Sequence, residues 1–409
     1  MDALAAVDLA RIRAAAAIGA GVVRETPVLS SRTLSERVGG AVALKAESLQ
    51  RTGSFKLRGA LAKLAALGEE ACRAGVVAGS AGNHGLAVAY AAHERGVPCE
   101  IFMPAEAPIV KVEACRAAGA TVRFVPGSVD DAVAAARERV ASAGLAFVHP
   151  YDDPDVVAGQ GTVGLELAAQ VPQLARVLVP LGGGGLASGV AIAVKSVRPD
   201  VQVIAVQAER CAPFAASLAR AAPVAVEVPP LTIADGIAVK RPGELTLALV
   251  RRWVDAVVTV AEDDIAEAMV LLLEHSRLVV EGAGAVGVAA LLGGAVAPAS
   301  GGTTAVVLSG GNVDVGLLAS IARRHETVVG RRLVLVTTLA DRPGELDRLL
   351  ALVAAQGANV LDVVHMREGV ALHVRETSVQ LAVETRDRDH AHAVLDALRA
   401  AGYDVTTPR

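Results

Sequence analysis

Aromatic side chains are close to absent. The 409 residues hold three Tyr, five Phe and one Trp, 2% of the chain. A core packed on large rings is excluded, so the hydrophobic 53% must fill it mainly with Ala, Val and Leu. Cysteine is sparse as well. Cys72, Cys99, Cys115 and Cys211 form no CxxC pair and have no His cluster nearby. Neither zinc nor a disulfide framework is implied, and the thiols read as buried groups of a reducing compartment, the cytoplasm. Excess charge of either sign is also missing. The 39 Lys and Arg face 43 Asp and Glu, a net charge of -4, and nothing forms the basic stripe of a nucleic-acid binder. Met1-Asp2 is not followed by a basic segment and an apolar run, so no signal peptide is expected.

Unbroken hydrophobic runs are the last absence. Mean hydropathy is +0.47, high enough to raise the question of a membrane. Two stretches, 177–194 and 282–313, carry no charge. The first holds Pro180 and Gly182–Gly185; the second holds Pro298 and nine glycines. Neither can form the continuous helix of ~20 residues that a span requires. Both read as buried strand–loop–helix units, and no membrane partner is expected. The apolar content also excludes a disordered chain.

What is present is alternation. After an Ala-rich helix and its exit over 1–25, short β-branched runs alternate with helical patterns to about residue 318. Expected strands are Val42–Ala46, Val76–Ala78, Cys99–Met103, Thr121–Val125, Val177–Val179, Val201–Val206, Ala256–Val260 and Thr304–Leu308. Expected helices include Phe55–Leu67, Asn83–Arg95, Val129–Ala141, Leu186–Val197 and Ile265–His275. This order implies an α/β fold with parallel sheets covered by helices. The character changes near Gly330: only four of 40 glycines lie beyond residue 331, but four of nine histidines do. A strand–helix–strand–strand–helix–strand order over 332–409 predicts a ferredoxin-like βαββαβ domain. Arg323, Arg324, Arg331 and Arg332 mark a linker at about 319–331.

Every glycine cluster follows an expected strand, where open parallel sheets bind ligands. Gly182–Gly185 lies between a strand and a helix, so its N–H groups can converge on a phosphate; a plain flexible turn is the other reading. The Gly79-Ser-Ala-Gly-Asn-His-Gly85 loop offers Ser80 and Asn83, each an N-cap former or a ligand donor. His84 is a base or a satisfied helix-start histidine. In Thr52-Gly-Ser-Phe-Lys-Leu-Arg58, Lys56 falls on the first turn of a helix, whose field favours the neutral amine needed for Schiff-base chemistry. A solvated surface lysine is its alternative. Ser309 ends a strand in Leu308-Ser-Gly-Gly-Asn312.

Together, Ser54–Gly59, Ser80–Gly85, Gly182–Gly185 and Ser309–Asn312 resemble the signatures of fold-type II pyridoxal-phosphate enzymes, and among them the threonine ammonia-lyases. Tyr151–Pro154, Ala158–Thr162, Ala234–Gly236 and Val280–Gly284 support the resemblance, which spans about residues 5–318 in family order. The tail, with Leu339–Gly344 and Gly357–Leu361, resembles an ACT domain. The resemblance implies a tryptophan-synthase-β-like catalytic unit over 1–318, with a small subdomain at about 50–150, and an ACT domain over 332–409. It implies that Lys56 carries the cofactor, pyridoxal 5'-phosphate, as a Schiff base and shuttles the substrate's α-proton. Gly182, Gly183, Gly184 and Gly185 hold its phosphate, Asn83 bonds its ring oxygen, Ser309 faces its ring nitrogen and Phe55 packs beside it. Ser80, Ala81, Gly82, Asn83 and His84 bind the substrate carboxylate.

The implied activity is conversion of L-threonine to 2-oxobutyrate and ammonia, with L-serine as a second substrate. Related serine racemases carry a serine where this chain has Ala81, which argues against racemisation. Where they bind a divalent metal this chain has Gln207, Cys211 and Pro213, poor ligands for a hard cation, so no such site is expected. Asp341, Pro343, Gly344 and Asn359 would form an effector pocket for isoleucine or valine between paired domains of a homodimer or homotetramer. A purely structural dimerisation module is the plainer reading of that tail. A dehydratase for serine or hydroxyaspartate is the same-fold alternative. A non-catalytic amino-acid sensor is the alternative of another class, and the intact Lys56 weighs against it.

Overall fold

The computed structural model describes residues 5–226, 232–367 and 372–408, and the chain divides into two units, Met1–Val313 and Asp314–Arg409. In the first unit the strands are β1 (Val28–Ser30), β2 (Val42–Ala46), β3 (Val76–Gly79), β4 (Cys99–Pro104) and β5 (Thr121–Val125). They continue as β6 (Ala146–Phe147), β7 (Leu174–Pro180), β8 (Gln202–Ala208), β9 (Ala256–Val260) and β10 (Thr303–Leu308). The larger sheet has the order β1-β2-β10-β7-β8-β9 and the smaller β5-β4-β3-β6. All pairings are parallel except β1 with β2. β1 and β6 escape the sequence pattern because two or three residues carry no period.

Register brings the functional loops together. Leu308 lies opposite Ala46, and Pro180 opposite Val206, so β2, β10, β7 and β8 end along one edge. The uncharged stretches contribute β7 with the helix Gly185–Val197, and the helix Gly282–Leu292 with β10, all largely buried. Among the described residues no helix is long and apolar enough to cross a membrane.

Scarcity of large side chains has a geometric counterpart. Helices Lys56–Cys72, Pro154–Gln170 and Gly185–Val197 approach backbone to backbone. A Cβ on Gly159 would lie 2.6 Å from the Gly59 Cα, and one on Gly189 would lie 2.6 Å from the Gly161 nitrogen. Only glycine leaves room for this approach.

The same region buries a four-charge network. Lys45, on β2, is fully buried and donates to Glu166 Oε2 at 2.5 Å, Thr26 O at 2.7 Å and Gln170 Oε1 at 2.9 Å. Arg58 grips Glu47 with Nε at 2.8 Å and Nη2 at 2.7 Å, and reaches Glu166 with Nη1 at 2.5 Å. Burial works against Glu47's charge, yet Arg58 and then Thr26 hold it below the usual carboxylate range.

In the second unit a helix (Val315–Val329) closes on Gly330 in the left-handed region. Then follow β11 (Arg332–Ala340), a helix (Glu345–Ala355), β12 (Asn359–Met366), β13 (Glu376–Glu384), a helix (Arg388–Ala400) and β14 (Val405–Thr406). The antiparallel order β12-β13-β11-β14 is the ferredoxin-like one. Leu333, Leu335 and Leu339 alternate inward against Leu349, Val353 and Val394. The stretch read as a linker, 319–331, is the body of the Val315–Val329 helix and its turn, and the units part at 313/314.

Arg58→Met removes one partner of a buried network and leaves the Glu47 carboxylate without its ion-pair partner, while Glu166 keeps only Lys45. It should cost about 3–5 kcal/mol in urea unfolding. Because Glu47 titrates below the reference value of 4.5, its contribution is full above that pH. It is lost as pH falls through the lower folded value, and Glu47→Gln should flatten that acid limb.

Candidate active site

Lys56 opens its helix at a forced position. Gly53 has φ 72°, a left-handed conformation, and any Cβ there would overlap the Asn312 side chain. Ser54 then forms an antiparallel bridge with Gly310, and the Phe55 N–H donates to Ser309 O at 3.1 Å. The loop after β10 thus seats the lysine. Lys56 Nζ donates to Pro150 O at 2.9 Å and lies 5.2 Å from the Phe55 ring centroid. Burial pushes its ammonium down to about 8, against the pull of Glu281.

The carbonyl that receives Lys56 belongs to a turn built by His149. Its Nδ1 accepts from the Tyr151 N–H at 3.2 Å and the Asp152 N–H at 2.7 Å, and burial lowers its pKa to about 4, so it is neutral. Tyr151 lies against the glycine loop: a Cβ on Gly183 would overlap its ring, and one on Gly185 would lie 3.0 Å from its carbonyl oxygen. Gly184, at φ 95°, leads into the helix Gly185–Val197, and Thr246 Oγ1 donates to Gly183 O at 2.7 Å. One short segment, 150–151, therefore touches both Lys56 and the glycine loop.

Asn83 begins the helix Asn83–Glu94 after β3. Its Nδ2 donates to Glu281 Oε1 at 2.7 Å, and its Oδ1 accepts from Asn312 Nδ2 at 2.7 Å. Ser80 Oγ accepts from the Gly82 N–H at 3.2 Å, folding the loop that also carries Ala81. His84 is buried with Nε2 on Val148 O at 2.9 Å, and burial takes its pKa down to about 3. Of its two readings, the satisfied helix-start histidine fits; a base at neutral pH does not. Ser309 is 3% exposed at the end of β10.

Glu281, His149 and the network of Lys45, Glu47, Arg58 and Glu166 were not singled out from sequence. Glu281 had two signals, its place inside the Val280–Gly284 segment and its position as the acidic residue just before the uncharged stretch 282–313. Gln207 is fully buried, donating to Leu181 O at 3.3 Å and accepting from the Phe214 N–H at 3.3 Å; the Cys211 thiol faces Val239 O at 3.4 Å. Among the described residues, no group of three or more His, Cys, Asp or Glu is placed to hold a metal.

The site fits pyridoxal phosphate. Thr52 Oγ1 and Ser54 Oγ, just before the lysine, are buried without a hydrogen-bond partner among the described residues. The glycine loop opens on a helix N-terminus, where first-turn N–H groups face an anion. Gly183→Ala should displace Tyr151 and weaken cofactor retention about tenfold or more, read by absorbance titration. Reconstitution of cofactor-free protein should accelerate with pH through about 8, since only the neutral Lys56 amine is a nucleophile.

A family model described as pyridoxal-phosphate dependent enzyme matches residues 20–310. The L-threonine ammonia-lyase of Thermotoga maritima is 46% identical over 384 residues, covering 94% of this chain and 95% of that protein. Among solved structures, a threonine deaminase from T.th. aligns with TM-score 0.71 and 42% identity over 75% of this chain and 99% of that one. Maize serine racemase aligns with TM-score 0.74 and 36% identity over 79% of this chain and 99% of that one. The matched span contains Lys56, Asn83, the glycine loop and Ser309, and the chain belongs to the pyridoxal-phosphate dependent enzymes.

Proposed function

We propose that this chain is a threonine ammonia-lyase, converting L-threonine to 2-oxobutyrate and ammonia, with L-serine to pyruvate as a side activity. The observation that carries the reading is Lys56: an amine pushed to about 8 by burial, whose partner carbonyl adjoins the aromatic ring lying on the glycine loop. When bound, the cofactor supplies an electron sink that acidifies the substrate Cα–H. Lys56 Nζ, neutral in a useful fraction near its pKa, takes the proton from that carbon. Gly182–Gly185 would hold the phosphate at the helix N-terminus, Asn83 would donate to the ring oxygen, Ser309 would serve the ring nitrogen and Phe55 would pack beside the ring. The turn Ser80–His84 receives the substrate carboxylate with N–H and hydroxyl donors. Ala81 offers no side-chain acid or base there, which favours elimination over racemisation.

The second unit is proposed as an ACT-type effector module. Asp341, Pro343 and Gly344 lie in the turn between β11 and its helix, with the Asp341 N–H on Arg375 O at 2.8 Å and Gly344 at φ 89°. Asn359 begins β12, whose Leu361, Val364 and Met366 are exposed apolar groups on an edge strand. Those side chains support a homo-oligomer, and the four buried free thiols support a cytoplasmic location. Isoleucine or valine would be the effector.

The test is an assay of 2-oxobutyrate from L-threonine beside pyruvate from L-serine, with and without isoleucine and valine. Lys56→Ala should lower both rates by at least about 10²-fold. A folded, cofactor-loaded protein that makes no 2-oxobutyrate from threonine would sink the substrate assignment. A threonine saturation curve unmoved by either amino acid would rule out the effector assignment.

A further inference from the structure

The Asn83 carboxamide is held at both ends, and the holders differ in what they can offer. A carboxamide has nearly the same shape in its two orientations, so its neighbours decide which end donates. Asn312 Nδ2 donates to Thr52 O at 2.9 Å and to Asn83 Oδ1 at 2.7 Å. The backbone carbonyl of Thr52 is an acceptor only, so Asn312 must turn its NH2 towards Asn83. On the other side Glu281 Oε1 accepts from Asn83 Nδ2 at 2.7 Å. An ionised carboxylate has no hydrogen to give, so it accepts only the NH2 end. With one N–H on Glu281, a single Asn83 N–H remains for an acceptor outside the chain.

Room for the carboxylate is built into the backbone. Glu281 is 5% exposed and sits at the N-cap of the helix Gly282–Leu292, its own N–H on Gly310 O at 3.0 Å. A Cβ at Gly310 would overlap Oε1, and one at Gly236 would lie 3.3 Å from it. Two glycines from separate loops leave the space that Oε1 occupies.

We propose that Glu281 is a positioning residue which, opposed by Asn312, fixes the Asn83 carboxamide so that its remaining N–H meets the ring oxygen of the cofactor. The proposal rests on the cofactor reading above and adds a division of labour to it: Asn83 touches the ring, Glu281 sets which atom does so. The ring oxygen is an acceptor when ionised, and a flipped Asn83 would set a carbonyl oxygen against it. The clamp is also sensitive to pH. Burial and then Asp235 push the Glu281 carboxyl up to about 7, while the Asn83 hydrogen bond, Lys111 and Lys56 pull it down. Asp235 sits on the turn Asp235–Ile237, and Lys111, on the helix Ile109–Ala117, pairs with it at 3.6 Å. A protonated Glu281 can donate instead of accept, and the orientation of Asn83 is then no longer specified from that side.

The experiment measures cofactor dissociation by absorbance titration in four proteins: wild type, Glu281→Gln, Asn83→Ala and the double variant. Gln keeps the length of Glu but can present either end of an amide. Glu281→Gln should still form the visible band, with cofactor bound about ten- to a hundredfold more weakly. The pH dependence of that band between about 6 and 8 should flatten. In the Asn83→Ala background the same substitution should change little, because Glu281 acts through Asn83. An equal loss in both backgrounds, or no loss in wild type, overturns the clamp. Absence of any visible band in the wild type, or its persistence in Lys56→Ala, would instead overturn the cofactor reading itself. Should Glu281→Gln fail to fold by circular dichroism, Asn312→Ala removes the opposite holder and carries the same cycle with Asn83→Ala.

Discussion

Arg58 cannot be separated from Lys56, two residues before it. Its guanidinium is held by Glu47 just after β2 and by Glu166 in the C-terminal part of the Pro154–Gln170 helix. Lys45 also binds Glu166, sharing its Oε2 with Arg58. The helix carrying Lys56 is therefore fastened to the larger sheet and to a neighbouring helix by ion pairs with almost no access to water. Such pairs are not a source of stability compared with a well-packed apolar core. Their value is that every donor and acceptor has one satisfied arrangement. A small shift of the helix would strand charges, so the first turn is held where it can meet Pro150 O.

Around that fixed helix the site is assembled from segments far apart in sequence. The loop after β10 pairs with residues 54–55, the turn at 149–152 supplies the lysine's carbonyl partner, and Tyr151 connects that turn to the glycine loop. Charge is managed by burial more than by counter-ions. Lys56 and His84 are both driven towards their neutral forms, and Glu281 is driven towards protonation. These groups share one poorly solvated space, and that is where pKa values near neutrality arise.

Much of this was legible in the chain. β-branched runs and strand-end glycines located the parallel strands to within a few residues, and Lys56, Asn83, Gly182–Gly185 and Ser309 stood out as residues of the loops and helix starts that follow strands. What was not legible depends on contacts between distant segments. Lys45 reads as an ordinary strand lysine until the fold shows it beside Glu166, 121 residues away. Glu281 stands in the Val280–Gly284 segment with no role of its own until Asn83, 198 residues earlier, is seen donating to it. The segment 319–331 misleads for a local reason. Its arginines suggested exposure, which is correct for one face of an amphipathic helix and says nothing against the helix.

The glycine contacts between the three buried helices bear on how such a sequence can change over time. A Cβ on Gly159 would meet the Arg58 and Gly59 backbone and one on Gly59 the Gln160 side chain and Val156 O, while Gly161 and Gly189 each forbid a side chain on the other. None of these glycines can accept even a methyl group without its neighbours giving way, and moving the first helix would drag Lys56 with it. The usual drift of a core towards larger, better-filling residues is closed off here. A chain in this position must draw its variation from surfaces and from swaps among small aliphatic residues. Its poverty in aromatic rings is then a lasting record of how closely its helices were first brought together.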